Sequence, residues 1–250
     1  SVIIAYVENG SEYETYRNAI AQNKDIISVA GAKHSIFSSR YNDPVKVASK
    51  QLEVDIIDVG EGYLETMGLT LIEGRDFEKD SETDRKESVI VTKKFAETFG
   101  WDKAIGKEVI WHDTVKLYVV GVVKDIYTNG LWREMEPMMI RYGAKENYTH
   151  VIVNAPLEKL TEINASMEQA WKQVFPNRLY NGRYLNESMY EAYTVNNNIV
   201  KMFVFLGIIA IILSATGLFT LVSLNIIKKM KEIGVRKVLG ASVTNITRII

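Results

Sequence analysis

The sequence holds three histidines, His34, His112 and His150, and no cysteine. None of the three has a partner at the HExxH or i, i+4 spacing that puts two zinc ligands on one helix face, so a metal site would have to be assembled from distant segments. Gly60 and Gly62 begin a G-x-G, but Glu65 stands where a dinucleotide fingerprint requires glycine. Gly106-Lys107 is followed by Glu108 rather than the hydroxyl residue of a phosphate-binding loop. No GxSxG elbow is present and no thiol can serve as nucleophile. Asp55 and Asp58 read as a polar strand end, and the charged run Glu78 to Glu87 as a solvated loop. The sequons at Asn147, Asn164 and Asn186 are short patterns of high chance frequency and carry no weight. No catalytic, cofactor-binding or metal-binding residue is assigned, and the expectation is a protein that is not an enzyme and needs no cofactor.

The informative chemistry is charge placement near the C-terminus. Met202 to Leu224 contains no charged residue, and about 20 apolar residues cross a ~30 Å hydrocarbon core as helix. Lys228, Lys229, Lys231, Arg236 and Lys237 follow, opposed only by Glu232. Positive charge stays cytoplasmic, which places residues 1 to about 195 outside and Lys228 onward inside. Within the span Gly207, Ala210, Ser214 and Gly217 recur at steps of three, four and three, a stripe of small residues suited to close approach by another helix.

The rest of the chain must fold ahead of this span. With 47 % hydrophobic residues and a net charge of −1, 250 residues hold one large or two modest folded units, with no charge bias toward nucleic acid. The missing cysteines fit an external domain that relies on its core rather than on disulfides. The opening SVIIAYV lacks an initiator methionine or signal sequence and the chain stops at ITRII within an apolar run, so it reads as a fragment of a longer membrane protein.

Val2 to Val7 reads as a strand, followed by an amphipathic helix with Tyr13, Tyr16 and Ile20 on one face, and a second strand at about Ile26 to Phe37. From Val45 to Glu136 the texture is short strands and turns. Thr92 is placed to cap a short helix that buries Phe95, Ala96 and Phe99 and stops at Gly100. Strands MMIRY and THVIVNA lead to Pro156, which suits the first turn of a helix with Leu157, Leu160, Ile163, Met167, Ala170, Trp171 and Val174 on one face. Strand–helix–strand thus occurs twice, at 2–37 and 148–185, around an inserted short-strand region.

With those features in place, the sequence resembles the FtsX-like permeases of ABC systems that carry a MacB-like periplasmic core domain. The matching text is YLETMGLTLIEGRDF, SVIVTKKFAETFG, IGKEVIW and YVVGVVKDI in order, then KEIGVRKVLGAS after the span. The resemblance implies an α+β external domain of two subdomains, a porter-like βαβ pair (1–43 and 136–187) and an inserted β-rich part (44–135). A stalk and transmembrane helix (188–227) and a cytoplasmic coupling segment (228–250) would follow. It further implies that Glu232, Ile233, Gly234, Arg236, Lys237, Gly240 and Ala241 belong to a short helix that docks on a separate cytoplasmic ABC ATPase in the bacterial inner membrane. It implies a dimer or pseudo-dimer of permease halves and, on the outer side, a periplasmic or outer-membrane partner. The chief alternative is a single-span ligand sensor, and a membrane-anchored envelope enzyme is a third; an apolar helix restarting after Ser242, heading back to the membrane, would separate a permease from a sensor.

Overall fold

The computed structural model describes residues 1–36, 40–126 and 135–240, with side chains except at 186–197, 232, 233 and 236. The expected helix restart after Ser242, and Ala241, lie outside the described residues. Two compact units result, 1–192 and 193–250.

The first unit is built on two interleaved strand–helix–strand copies. Strand β1 (Val2–Tyr6), helix α1 (Gly10–Ile20) and strand β2 (Ser28–Ala32) form the first. Asn9 caps α1, its side chain accepting from the Glu12 amide. The sequence favours a longer second strand than this, but only Ser28–Ala32 pairs. The second copy is β10 (His150–Asn154), α5 (Leu160–Val174) and a two-residue β11 (Arg183–Tyr184). The order β11-β1-β10-β2 is antiparallel throughout, each copy placing a strand between the two strands of the other. Pro156 does not begin α5: a 3-10 turn at Leu157–Lys159 intervenes, which leaves Leu157 70 % exposed and outside the apolar face predicted for it.

Alternation explains the layers. Ile3, Ala5, Val151 and Val153 face α1 and α5, where Tyr16, Ile163, Met167 and Trp171 are buried. Ile4, Ala30, Ala32 and Ile152 face the opposite way, into a second core with Tyr63 and Leu64 of helix α2 (Tyr63–Met67). The Tyr16 hydroxyl donates to the Met167 carbonyl at 2.8 Å and Trp171 Nε1 to the Arg178 carbonyl at 3.1 Å, so the two largest aromatics between the helices bury no open polar group.

The inserted region is a closed barrel, with strands longer than expected. Its strands are β3 (Tyr41–Val47), β4 (Lys50–Val59), β6 (Ser88–Thr92), β7 (Glu108–Trp111), β8 (Val115–Val123) and β9 (Met138–Tyr142). Their pairing runs β4-β3-β7-β8-β6-β9, and β9 returns to pair in parallel with β4. Val45, Val54, Ile56, Val89, Val91, Val109, Leu117, Val119 and Met139 fill the interior, as a barrel this small must be filled by side chains. Strand β5 (Leu71–Gly74) pairs with the far end of β8. Helix α4 (Lys93–Thr98) caps one barrel end: Thr92 Oγ1 accepts from the Phe95 amide, and Gly100 takes the left-handed φ of 71° that ends the turn. The barrel and the four-stranded sheet share a single strand-to-strand residue pair, Ala32 with Val59. Position 43/44 falls inside β3, and β9, from the stretch after 136, completes the barrel.

Helix α6 runs from Leu185 to Val238, 54 residues, and supplies the second unit from Tyr193 onward, about 81 Å in all at 1.5 Å per residue. It ends as Leu239 donates to Val235 and Gly240 to Lys237, with Gly240 at φ 91°.

Candidate functional site

The charged run at 78–87 is not a solvated loop. Ser81 caps helix α3 (Glu82–Glu87), accepting from the Asp84 amide, and this turns Asp84 inward to 1 % exposure. Its carboxylate accepts from Arg75 Nη1 and Nη2 at 2.8 and 2.9 Å, from the Glu78 amide at 2.7 Å and from Ser88 Oγ at 2.6 Å. The Arg75 hydrogen bonds hold its pKa down at about 2. It clamps the segment between β5 and β6.

Asp55 and Asp58 are likewise more than a polar strand end. Asp55 is buried and accepts from Arg40 Nε at 2.7 Å. Asp58 accepts from Arg141 Nη1 at 3.2 Å, and the guanidinium of Arg141 lies 3.9 Å over Trp111, whose Nε1 donates to Asp43 at 3.0 Å. Tyr41 joins the same group, its hydroxyl 3.4 Å from Arg141 Nη1. In this group each named carboxylate is answered by a cation, an indole or a hydroxyl.

The histidines are not brought together as ligands. His112 sits on the β7–β8 turn at φ 51° and meets Asp43 at 3.3 Å. His34 Nδ1 accepts from the Asp58 amide at 3.1 Å, the unprotonated form of that nitrogen, and burial lowers its pKa. His150 is buried on β10 against Tyr6, with Nε2 unpartnered, and burial pushes its pKa down to about 4. Among the described residues no three His, Asp or Glu side chains are disposed to hold a metal ion.

In α6, Asn198–Lys231 is long and apolar enough to cross a membrane. Thr216 and Thr220 return their hydroxyls to the carbonyls one turn back, at 2.8 and 2.9 Å, so neither faces lipid unsatisfied. Gly207, Ala210, Ser214 and Gly217 are all exposed, and a Cβ at either glycine would meet nothing within 4 Å. Beyond the span the helix does not break: Gly234 and Lys237 lie on the same continuous helix rather than on a separate short one. Gly234 is open on every side, and its missing side chain leaves an apolar hollow lined by Met230, Val235, Val238 and Leu239, with Lys231 at its rim. Glycine inside a helix costs roughly 1 kcal/mol relative to alanine, and no contact among the described residues requires it. The side chains of Glu232, Ile233 and Arg236 lie outside the described ones.

These features define a class: an α+β domain of interleaved sheet and closed barrel, joined in sequence to a long apolar helix. Residues 2–170 match the MacB-like periplasmic core domain family, and the chain belongs to that family. It is 21 % identical over 258 residues to the uncharacterized ABC transporter permease YknZ of Bacillus subtilis, across 97 % of this chain and 64 % of the relative's length. Its fold is shared by the extracellular domain of the noncanonic ABC-type transporter YknZ from Gram-positive bacteria (TM-score 0.53, 14 % identity, 74 % of this chain and 100 % of that one). The periplasmic region of MacB from Actinobacillus actinomycetemcomitans shares it as well (TM-score 0.55, 15 % identity, 79 % and 91 %). The domain is of an extracytoplasmic family, and the apolar helix that follows it, Asn198–Lys231, has the length and composition of a membrane span.

Proposed function

We propose that this chain is part of a permease subunit that couples ATP hydrolysis by a separate cytoplasmic ABC ATPase to motion of its external domain, in transport or in mechanotransmission, without catalysing a reaction itself. The observation that carries the reading is the uninterrupted helix through the span to Val238, bearing the open Gly234 hollow and Lys237 just beyond it. A stiff helix transmits displacement, and a glycine-floored apolar face suits a docked partner. Glu232, Ile233, Gly234, Arg236, Lys237, Gly240 and Ala241 form the docking segment in this reading. The stripe Gly207, Ala210, Ser214 and Gly217 receives a second helix of the permease dimer or pseudo-dimer, while the external domain meets partners outside the inner membrane. Orientation is tested with single cysteines at Ser81 and Lys229: an impermeant thiol reagent applied outside should label the first alone, and the reverse pattern overturns the topology. Coupling is tested by co-purification with the ATPase. A Gly234→Leu variant raises helix propensity while filling the hollow, so lost association reports docking, and unchanged association sinks this assignment.

A further inference from the structure

The seam between helix α1 and the segment around helix α2 opens into a cleft of ≈ 260 Å³. One wall is α1, with Glu14 and Arg17; the other carries Glu61, Glu65 and Lys79 around α2. Its floor is Tyr148, whose ring fits only because two neighbouring positions lack a side chain. A Cβ at Gly31 would lie 2.3 Å from Tyr148 Cδ2, and one at Gly60 would lie 2.6 Å from its hydroxyl. The walls are thus two helices, α1 and α2, held apart by the Tyr148 ring, and a concave site between packed elements is where ligands are commonly held.

The lining holds both signs of charge, and part of it is unspent. Glu61 pairs with Lys79 at 3.2 Å, and Lys145 with Asp80 at 3.6 Å. Glu14, Arg17 and Glu65 form no ion pair among the described residues. Ser28, on the α1 side, has a hydroxyl shut off from solvent with no hydrogen-bond partner, a group that costs free energy unless something answers it. An anion alone would face three carboxylates here, and an apolar molecule would strip water from charges without replacing it.

We propose that this cleft binds a small zwitterion of amino-acid or dipeptide size, its ammonium against Glu14 and Glu65 and its carboxylate against Arg17. The volume sits below the roughly 300–1,000 Å³ of drug-sized sites, which sets the upper size. Bridging the seam, the ligand ties α1 to α2. This assignment is independent of the permease reading.

Titration calorimetry on the full chain in lipid nanodiscs tests it, with L-alanine, L-alanyl-L-alanine, N-acetyl-alanyl-alanine and alanyl-alanine amide as probes. One or both uncapped probes should bind saturably, and capping either end should weaken binding about tenfold or more, as expected for a lost charge-assisted contact. In Arg17→Gln the amide and the free acid should bind alike, and in Glu14→Gln/Glu65→Gln the acetylated and free amines should. Saturation by alanine alone identifies free amino acids as the source, and by the dipeptide alone, peptides. Absence of saturable binding up to about 10 mM, capped probes binding as well as uncapped ones, or unaltered affinity in the folded Arg17→Gln chain would each overturn the proposal.

Discussion

Replacing Asp84 by asparagine should destabilise the external domain in a pH-dependent way whose size and window follow from its contacts. The wild-type carboxylate takes four hydrogen bonds, two of them from Arg75. Its pKa falls from 3.8 to about 2 on folding, and at 1.36 kcal/mol per unit this is about 2 kcal/mol of stability held by the charged form. Asparagine also turns an amide N–H₂ toward donors, but Arg75 is 45 % exposed and can be rehydrated, so the full 3–5 kcal/mol of a broken buried pair is an upper bound. We expect a loss of about 2–4 kcal/mol at pH 7, or roughly 5–15 °C in Tm for a domain of this size. Because the folded pKa is depressed, this stability is complete above the unfolded value and is lost as pH falls from 3.8 through about 2. The difference between wild type and Asp84→Asn, measured by urea unfolding of residues 1–192, should therefore be flat from pH 8 to pH 5 and shrink below pH 4. Other groups titrate equally in both proteins and cancel. A difference under about 0.5 kcal/mol at pH 7, or one that does not shrink in acid, would refute the view that Asp84 clamps its segment.

His150 acts in a separate window with the same direction. Its folded pKa of about 4 lies below the ordinary 6.5, so above pH 6.5 it costs the fold nothing, and as pH falls from 6.5 through 4 the domain loses stability, the loss reaching about 3 kcal/mol below pH 4. His150→Leu should abolish that part of the slope in urea midpoints taken from pH 7 to pH 4, and an unchanged slope counts against a buried neutral imidazole. Gly31→Ala should cost about 1–3 kcal/mol by overpacking, read as a lower Tm, because Tyr148 and Tyr13 both stand within 2.6 Å of the new methyl; wild-type stability would mean that the floor of the seam is loose. Reversing Arg236 and Lys237 to glutamate should leave the domain's Tm unchanged while reducing ATPase co-purification, and intact association would make this segment a lipid anchor only.

The parts of the fold that local pattern dictates were readable from sequence. The β-branched apolar runs at Val2–Tyr6 and His150–Asn154 identify strands, the Ile163, Met167 and Trp171 spacing gives the α5 stripe, and Thr92 and Gly100 mark both ends of α4. The 23 uncharged residues of the span need no partner to be recognised. What the sequence hid depends on residues far apart. Barrel closure rests on β9 pairing in parallel with β4, Asp55 beside Met138, and periodicity tells which face a residue occupies, not which strand lies beside it. Asp58 looked like a strand end because Arg141 is 83 residues away.

Asp84 was hidden for the opposite reason. Seven of the ten residues around it, Glu78 to Glu87, are charged besides itself, and a dense run argues for solvent. One carboxylate of that run is buried because Arg75, Ser88 and a main-chain amide converge on it, a choice no composition reveals. The coupling segment presents the converse case. Gly234 stands out in the sequence, yet no described residue comes within 4 Å of the Cβ it lacks, so the glycine cost in this helix is offset by no packing among the described residues, and the docking role proposed above is what the Gly234→Leu variant tests.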